Sequence, residues 1–143
     1  MTTVREASIE DVDGISQVSS YLGYTQSSRE ESKKRLEEVL ASHTDIVWIY
    51  EDDTRIKGWI HVFVALRLAS AKFAEIGGLV VDQSYRRSGI GRKLVETAIR
   101  WSEQNNLSLR VRCNSERKEA NKFYKSLGFK VQKTQIVHEQ TSS

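Results

Sequence analysis

The sequence predicts an α/β (α+β) protein with a mixed central sheet and helices on both faces. The main observation is the order of its elements, because β-rich and helical runs follow one another as β α α β β β α β α β. Consecutive strands in the middle of the chain indicate antiparallel hairpins, and the later strand–helix–strand units indicate crossovers. The length of 143 residues fits one domain spanning residues 1–143.

The first half begins with a short strand, "TTVREA". Ser8 then caps a helix that runs to about Tyr21 and has apolar residues at helical spacing. The next helix is "SSREESKKRLEEVLAS", in which Ser28 and Glu31 form a capping-box pattern. Two β-rich runs follow, "DIVWIYED" and "RIKGWIHVFVAL", and the short turn between them predicts a hairpin.

The second half alternates strands and helices. "AKFAEIGGLVVD" is a strand, "GIGRKLVETAIRWSEQNN" is an amphipathic helix and "LSLRVRC" is a further strand. "ERKEANKFYKSLG" is a helix that ends at Gly128, a residue type common just after a helix. "FKVQKTQIVHE" is expected to form the last strand.

Charge is distributed unevenly along the chain. Residues 1–82 hold 9 basic and 14 acidic side chains, whereas residues 83–133 hold 13 basic and 4 acidic ones. A basic second half suits an anionic ligand and an acidic first half suits a cationic one, although a solvated surface would give the same counts.

Cysteine usage and apolar runs indicate where the protein resides. The single cysteine, Cys113, excludes an intrachain disulfide and favours a reducing compartment. The N-terminal stretch is charged where a signal peptide would be apolar, and no apolar run is long enough to cross a bilayer. We therefore expect a cytoplasmic protein with no membrane partner.

"YRRSGIGRKL", residues 85 to 94, combines glycine, positive charge and the start of a helix. The first N–H groups of a helix point outward without internal partners, and the helix dipole adds positive charge there. Gly89 and Gly91 lack the Cβ atoms that would keep a phosphate away from the backbone. The stretch is neither a Walker A loop nor the three-glycine dinucleotide fingerprint. It predicts an anion site, with an ordinary surface turn as the alternative.

Two motifs resemble those of the GNAT superfamily of N-acetyltransferases. The first is R-x-x-G-x-G, formed by Arg86, Gly89 and Gly91 after "LVVDQSY". The second is A-x-x-x-Y-x-x-x-G-F within "EANKFYKSLGF", which contains Tyr124. The order of elements is also similar to the whole GNAT fold, so the resemblance covers nearly the full chain and implies a mostly antiparallel sheet.

The resemblance implies acetyl-CoA as cosubstrate. Its diphosphate would lie on the backbone N–H groups from Arg87 to Arg92, and its pantetheine arm would pair with the main chain of Leu79 and Val81. The adjacent Gly77-Gly78 fits a bulge beside this arm or crowding against Trp48 or Trp59. The expected cofactor-binding residues are Leu79, Val80, Val81, Arg86, Arg87, Ser88, Gly89, Ile90, Gly91, Arg92, Asn114 and Arg117.

Two positions depart from the family pattern. Gln83 replaces a frequent proline in a turn, which matters little. Arg117 replaces a frequent asparagine that contacts the cofactor arm in many members. Arg117 reaches a CoA phosphate or faces solvent, and Asn114 is an alternative polar contact.

Amide formation from a thioester needs an acid for the leaving thiolate and a base for the amine. Tyr124 matches the family's acid, and Glu75 is expected to take the amine's proton through water or to hold the cationic amine. The alternatives are a half-buried helix tyrosine and a surface salt bridge. His61 is more often structural at a strand position, and Cys113 is more often a small core residue than a nucleophile. No Cys/His cluster predicts a metal site.

The predicted enzyme is therefore an acyltransferase that acetylates a primary amine by direct attack in a ternary complex. Acidic side chains at Glu30, Glu31, Asp52 and Asp53 suit a cationic small molecule such as a polyamine or aminoglycoside, and peptide amines stay open. The alternative is an inactive acyl-CoA-binding sensor. Nucleic acid is not expected, because the aromatic residues follow helical spacing. By analogy, a homodimer through the last strand is an open alternative.

Overall fold

A five-stranded sheet, with its strands in chain order, forms the centre of the first part of the protein. The strands are β1 (Thr2–Glu6), β2 (Asp45–Asp52), β3 (Arg55–Ala65), β4 (Phe73–Val81) and β5 (Leu109–Val111). The first four pair antiparallel, and β5 joins β4 in parallel. The expected mixed, mostly antiparallel sheet is thus confirmed.

The computed structural model describes residues 2–20, 28–85 and 87–141. The chain divides into two compact units, Met1–Arg112 and Cys113–Ser143. The sheet lies wholly in the first unit. Its helices are α1 (Val12–Ser19), α2 (Arg29–Ala41) and α3 (Ile90–Gln104), and α4 (Lys118–Ser126) belongs to the second unit. In the part of the chain that the structure describes, no helix is long and apolar enough to span a bilayer.

Helices cover both faces of the sheet in the first unit. Consecutive residues of a strand point to opposite faces, so Gly58 and Trp59 mark the two sides of β3. The indole Nε1 of Trp59 donates to Ser19 Oγ of α1 at 2.8 Å. A Cβ at Gly58 would meet Ile90 and Leu94 of α3 at 3.1 and 3.2 Å. α1 therefore lies on the Trp59 face and α3 on the Gly58 face.

The core forms where the apolar stripe of α3 meets the middle strands. Leu94 and Val95 of α3 are fully buried, as are Ile60 and Val62 of β3. Burying one such aliphatic side chain stabilises the fold by about 1.5–3 kcal/mol. At the far end of α3, Trp101 packs edge-on against Trp48 of β2, with ring centroids 5.9 Å apart. This packing fixes α3, and with it the glycine-containing turn that precedes it.

Three elements differ from the sequence-based expectations. The first helix begins as a 3₁₀ turn over Ile9–Asp11, and β5 spans only Leu109–Val111. The expected last strand is wrong, because residues 129–141 carry neither helix nor strand. Val131 and Ile136 of this segment are not packed against a neighbour that would stabilise a strand. Both are exposed, at 68% and 82%.

Candidate functional site

Strand β4 has two strand neighbours over only part of its length. On one edge it pairs with β3 from Phe73 to Val81. On the other edge it pairs with β5 only from Ala74 to Ile76. Among the described residues, β3 is thus the only strand that pairs with β4 beyond Ile76. Such an edge can accept an extended ligand as an additional strand, because its main-chain groups bond in the same way.

A β-bulge separates the two parts of β4. His61 of β3 lies opposite Gly78, and the next residue, Val62, lies opposite Ile76, so Gly77 is the extra residue. A Cβ at Gly77 would lie 3.1 Å from His61 Nδ1, and one at Gly78 would lie 2.9 Å from the Trp59 ring. The bulge and the crowding by Trp59 both account for the glycine pair. Because the bulge adds one residue, Glu75 and Leu79 fall on opposite faces of the sheet.

The turn after β4 prepares the start of α3. Gly89 is the N-cap residue, with a left-handed backbone at φ 88°. A Cβ at Gly89 would have no atom within 4 Å, so conformation and not space requires glycine there. Arg87 also has a positive φ, 68°. No described side chain caps the helix. No described side chain therefore competes for the first-turn N–H groups of α3, which is the arrangement in which helix starts can bind anions.

Basic side chains surround this helix start. Arg87, Ser88, Arg92 and Lys93 are exposed, whereas Ile90 is buried and anchors the turn to the core. Ser88 is held by its own hydroxyl, which donates to the Tyr85 carbonyl. Gly91 is half-buried in the first turn. Arg86, the first residue of the sequence motif, lies outside the described residues.

Glu75 is a buried carboxylate on the Trp59 face of the sheet. It lies opposite Phe63 of β3, two residues from His61. Its side chain is 9% exposed and accepts from Arg112 Nε at 3.1 and 3.3 Å. Arg112 is 58% exposed, so this ion pair reaches from the interior to solvent. A salt bridge, which was the alternative to a catalytic role for Glu75, is present, but its carboxylate is buried and only Arg112 reaches the surface.

His61 belongs to a hydrogen-bonded pair that the sequence analysis did not identify. Its Nε2 lies 2.7 Å from Asp45 Oδ1, across the β2–β3 hairpin. Asp45 Oδ2 also accepts from the hydroxyls of Ser42 and Thr44, at 2.6 and 3.0 Å. Burial raises the pKa of Asp45, but hydrogen bonds from Ser42, His61 and Thr44 outweigh it and hold this pKa below its usual value. The register of the predicted hairpin is the feature that could have revealed the pair.

In the second unit, Asn114 and Arg117 shape the start of α4. Asn114 Oδ1 accepts from the Glu116 N–H at 2.9 Å, so its side chain is used in a local turn. Arg117 is the N-cap residue of α4 and its side chain is exposed. Asn121 Nδ2 donates to the carbonyls of both, at 3.1 and 2.8 Å. Both residues are exposed, and both side chains thus remain candidates for a ligand.

Tyr124 lies on α4 between two aromatic rings. Its ring centroid is 5.2 Å from that of Phe123 and 5.6 Å from that of Phe129, both edge-on. Burial raises the pKa of Tyr124 to about 12, with a further increase from Cys113 and a decrease from Arg117. The phenol is therefore protonated at neutral pH, which is the form that a proton donor needs.

Some acidic residues of the first unit line a cavity that lies away from the bulge in β4. A cavity of about 200 Å³ lies between α1 and the β2–β3 turn, and its walls include Asp11, Glu51 and Ile56. Arg5 already binds both of these carboxylates, at 2.9 and 3.1 Å. Ile56 precedes His61 by five residues, which is roughly 16 Å along a strand. The cavity is therefore far from the bulge.

In the part of the chain that the structure describes, a strand that pairs with β5 only as far as Ile76 thus leads to a helix that begins at a glycine. The sequence matches the acetyltransferase (GNAT) family over residues 15–129. This match covers most of the chain, and the chain belongs to that family.

Solved structures give the same fold. An acetyltransferase described as putative, from Agrobacterium tumefaciens, is 20% identical with a TM-score of 0.86, covering 96% of this chain and 99% of that one. An aminoglycoside N-acetyltransferase in complex with CoA has a TM-score of 0.86 at 16% identity, covering 99% and 96%. An aminoglycoside 6′-N-acetyltransferase from Acinetobacter haemolyticus has a TM-score of 0.82 at 14% identity, covering 99% of both chains. No curated protein matches the sequence.

Proposed function

We propose that this protein is an N-acetyltransferase that moves the acetyl group of acetyl-CoA to a primary amine. The observation that carries the proposal is the edge of β4, where pairing with β5 ends at Ile76 while the strand continues to Val81. The glycine-opened start of α3 follows this edge directly. An extended arm that bears amides and ends in a diphosphate fits these two features in succession.

The proposed contacts to acetyl-CoA come from the main chain of both segments. Leu79, Val80 and Val81 would receive the pantetheine arm as an added strand. The N–H groups from Arg87 to Arg92 would bind the diphosphate, with Arg86 included on sequence grounds. Asn114 and Arg117 are the proposed contacts from the second unit.

The proposed chemistry is direct attack of the amine on the thioester in a ternary complex. Tyr124 donates a proton to the leaving sulfur. Glu75 takes the proton of the amine through water or holds the amine as a cation. Its pairing with Arg112 in the interior supports a fixed carboxylate position on the Trp59 face.

The acceptor is proposed to be a cationic small molecule or a peptide amine. One solved neighbour is an aminoglycoside acetyltransferase from a soil metagenome, in complex with sisomicin, which has a TM-score of 0.81 at 19% identity. Asp45, Glu75 and Asp52 are each paired with a basic side chain, but Asp45 and Glu75 lie nearer the bulge. These two carboxylates are the better candidates to attract a cation.

The remaining predictions accompany this proposal. We propose a single domain over residues 1–143 and a cytoplasmic location. A homodimer stays a prediction, although the last strand on which it was based is not formed.

The test is thiol release from acetyl-CoA with polyamines, aminoglycosides, amino acids and lysine peptides. We expect Tyr124→Phe to lower kcat by roughly 100-fold, because general acid catalysis contributes about that factor or more. The Kd for acetyl-CoA should not change. Wild-type protein that binds acetyl-CoA and releases no thiol with any amine would favour the sensor alternative.

The raised pKa of Tyr124 predicts the pH behaviour of this acid. A phenol with a folded-state pKa of about 12, above its unfolded value of 10.0, favours folding while it is protonated. That contribution is complete below pH 10 and is lost as the pH rises through about 12. Proton donation by Tyr124 should therefore persist to at least pH 10, as measured by single-turnover transfer.

A further inference from the structure

We propose that His61, held by Asp45, is the group that accepts the proton of the acceptor amine, and that Glu75 holds the amine as a cation. This inference rests on the proposed function. It assigns to two residues the two roles, proton acceptor and binder of the cationic amine, that were open for Glu75 alone.

The position of His61 follows from the order of groups in acetyl-CoA. From the diphosphate outward, the pantetheine arm has two amides and then the sulfur. If the arm runs along β4 away from α3, the amides reach Val81 and then Leu79, and the thioester comes next. The next residues of β4 in that direction are Gly78 and Gly77, where the bulge lies.

His61 lies directly at this bulge. It is opposite Gly78 in the sheet, and its Nδ1 is 3.1 Å from where a Cβ at Gly77 would be. Gly77 itself is exposed, so the bulge can be reached from solvent. The His61 side chain is 25% exposed and its ring lies 6.1 Å from that of Phe63. Glycine at position 77 therefore lets the His61 ring lie close to the bulge, because a Cβ there would crowd Nδ1.

The hydrogen bond to Asp45 determines which nitrogen of His61 can accept a proton. Asp45 is an acceptor for two hydroxyls, and its pKa lies below the usual value, so it is a carboxylate at neutral pH. Nε2 must then carry the hydrogen in the 2.7 Å contact. In neutral imidazole this leaves a lone pair on Nδ1, the nitrogen that faces Gly77. Asp45 is thus a positioning residue for His61.

Glu75 is less suited to accept the proton and better suited to attract the amine. Arg112 contacts its carboxylate at 3.1 and 3.3 Å, so part of its capacity to accept hydrogen bonds is used. Glu75 lies opposite Phe63, and residues 61 and 63 share a face of β3. Glu75, Phe63 and His61 therefore line the same side of the sheet.

His61 Nδ1 takes one proton from the ammonium group, and the neutral amine attacks the carbonyl carbon of the thioester. The C–N bond forms, the C–S bond breaks, and the second nitrogen proton is released to solvent. Tyr124 protonates the thiolate and recovers a proton from solvent, and His61 returns to neutral by releasing its proton to solvent. One proton is released per acetyl group transferred.

The first test is independent of catalysis. A two-bond ¹H–¹⁵N correlation spectrum of the protein without acetyl-CoA should show His61 with its hydrogen on Nε2. Asp45→Asn should shift the ring toward the other tautomer or a mixture. A wild-type ring with its hydrogen on Nδ1 would overturn the proposal.

The second test separates His61 from Glu75 by kinetics with spermidine, kanamycin and a lysine peptide. We expect His61→Gln to lower kcat by roughly 100-fold with little change in the KM for the amine. Glu75→Gln should mainly raise that KM. Asp45→Asn should lower kcat by roughly tenfold, because part of the ring population has the wrong tautomer.

His43→Gln is the matched control, because His43 is an exposed histidine in the turn before β2. It should transfer acetyl groups at the wild-type rate. An unchanged Kd for acetyl-CoA in each variant shows that the site is folded. Full transfer by His61→Gln would overturn the assignment of the base alone. Absence of transfer by the wild type would overturn the proposed function and the base together.

Discussion

Helices α2 and α3 differ in how the backbone N–H groups at their N-termini are capped. At α2, Ser28 Oγ accepts from the Glu31 N–H at 3.1 Å, and Glu31 Oε1 accepts from the Ser28 N–H at 3.2 Å. At α3, the corresponding position is Gly89, which has no side chain to offer. The capping box of α2 satisfies two N–H groups at its start with side chains of the helix itself, whereas no described side chain caps α3.

The charges at the two starts differ in the same sense. The first turn of α2 contains Glu30 and Glu31, which interact favourably with the positive end of the helix dipole. The first turn of α3 contains no acidic residue and instead has Arg92 and Lys93. Basic residues at a helix N-terminus are unfavourable unless an anion is present. The comparison therefore supports the proposal that the start of α3, and not that of α2, binds the anionic ligand.

The largest expected effect on acetyl-CoA binding is that of Gly89→Val. A β-branched residue at φ 88° is strained, by about 1–2 kcal/mol. If the turn shifts to relieve this strain, its N–H groups no longer converge on the diphosphate. We expect acetyl-CoA to bind about tenfold more weakly or worse, since about 1.4 kcal/mol is tenfold in Kd. Isothermal titration calorimetry measures the change.

Gly128→Val is the matched control for backbone strain. Gly128 has φ 95° and, like Gly89, no atom within 4 Å of a Cβ position. It should lose a similar amount of stability and keep its affinity for acetyl-CoA. Equal losses of affinity in both variants would mean that strain and not the helix start is responsible.

Arg92→Glu should change affinity and stability in opposite directions. A carboxylate in the first turn of α3 improves the interaction with the dipole, by about 0.3–1 kcal/mol. The same charge repels a diphosphate, and we expect roughly fivefold weaker binding of acetyl-CoA, or about 1 kcal/mol. Calorimetry and urea unfolding measure the two effects.

Arg100→Glu reverses the same charge on an exposed position later in α3. It should leave acetyl-CoA affinity unchanged, because the effect of the dipole falls off within the terminal turns. Loss of both affinity and stability in Arg92→Glu would contradict an anion site at this helix start.

The helix starts show what local sequence can predict. Ser28 and Glu31 form their capping box as expected, because that motif depends on residues three apart. Gly89 is the N-cap residue of α3, and this helix start was also predictable from neighbouring residues. The Asp45–His61 pair was missed because 16 residues separate its members, and only the hairpin register brings them together. The bulge at Gly77 was suggested by two glycines, but its effect on side-chain direction required the register.

The C-terminal segment shows what composition alone cannot predict. "FKVQKTQIVHE" has the composition of a strand, but a strand also needs a neighbour and one apolar face. Val131, Ile136 and Val137 are all exposed, and residues 129–141 form no strand. Composition alone therefore overestimated regular structure where no packing surface was specified.

The smallest expected effect is a change in folding stability on substitution of Ser28, and it tests the difference between α2 and α3 most directly. Ser28→Ala removes the side-chain acceptor of the Glu31 N–H and should destabilise the protein by about 1 kcal/mol. Ser28→Gly should cost only a few tenths of a kcal/mol, because glycine leaves the helix end open to water. Urea unfolding measures both. Neither change should alter the Kd for acetyl-CoA, since the donors of α2 are satisfied within the protein. If Ser28→Ala weakened acetyl-CoA binding as Gly89→Val does, the contrast between a closed and an open helix start would no longer explain where the ligand binds.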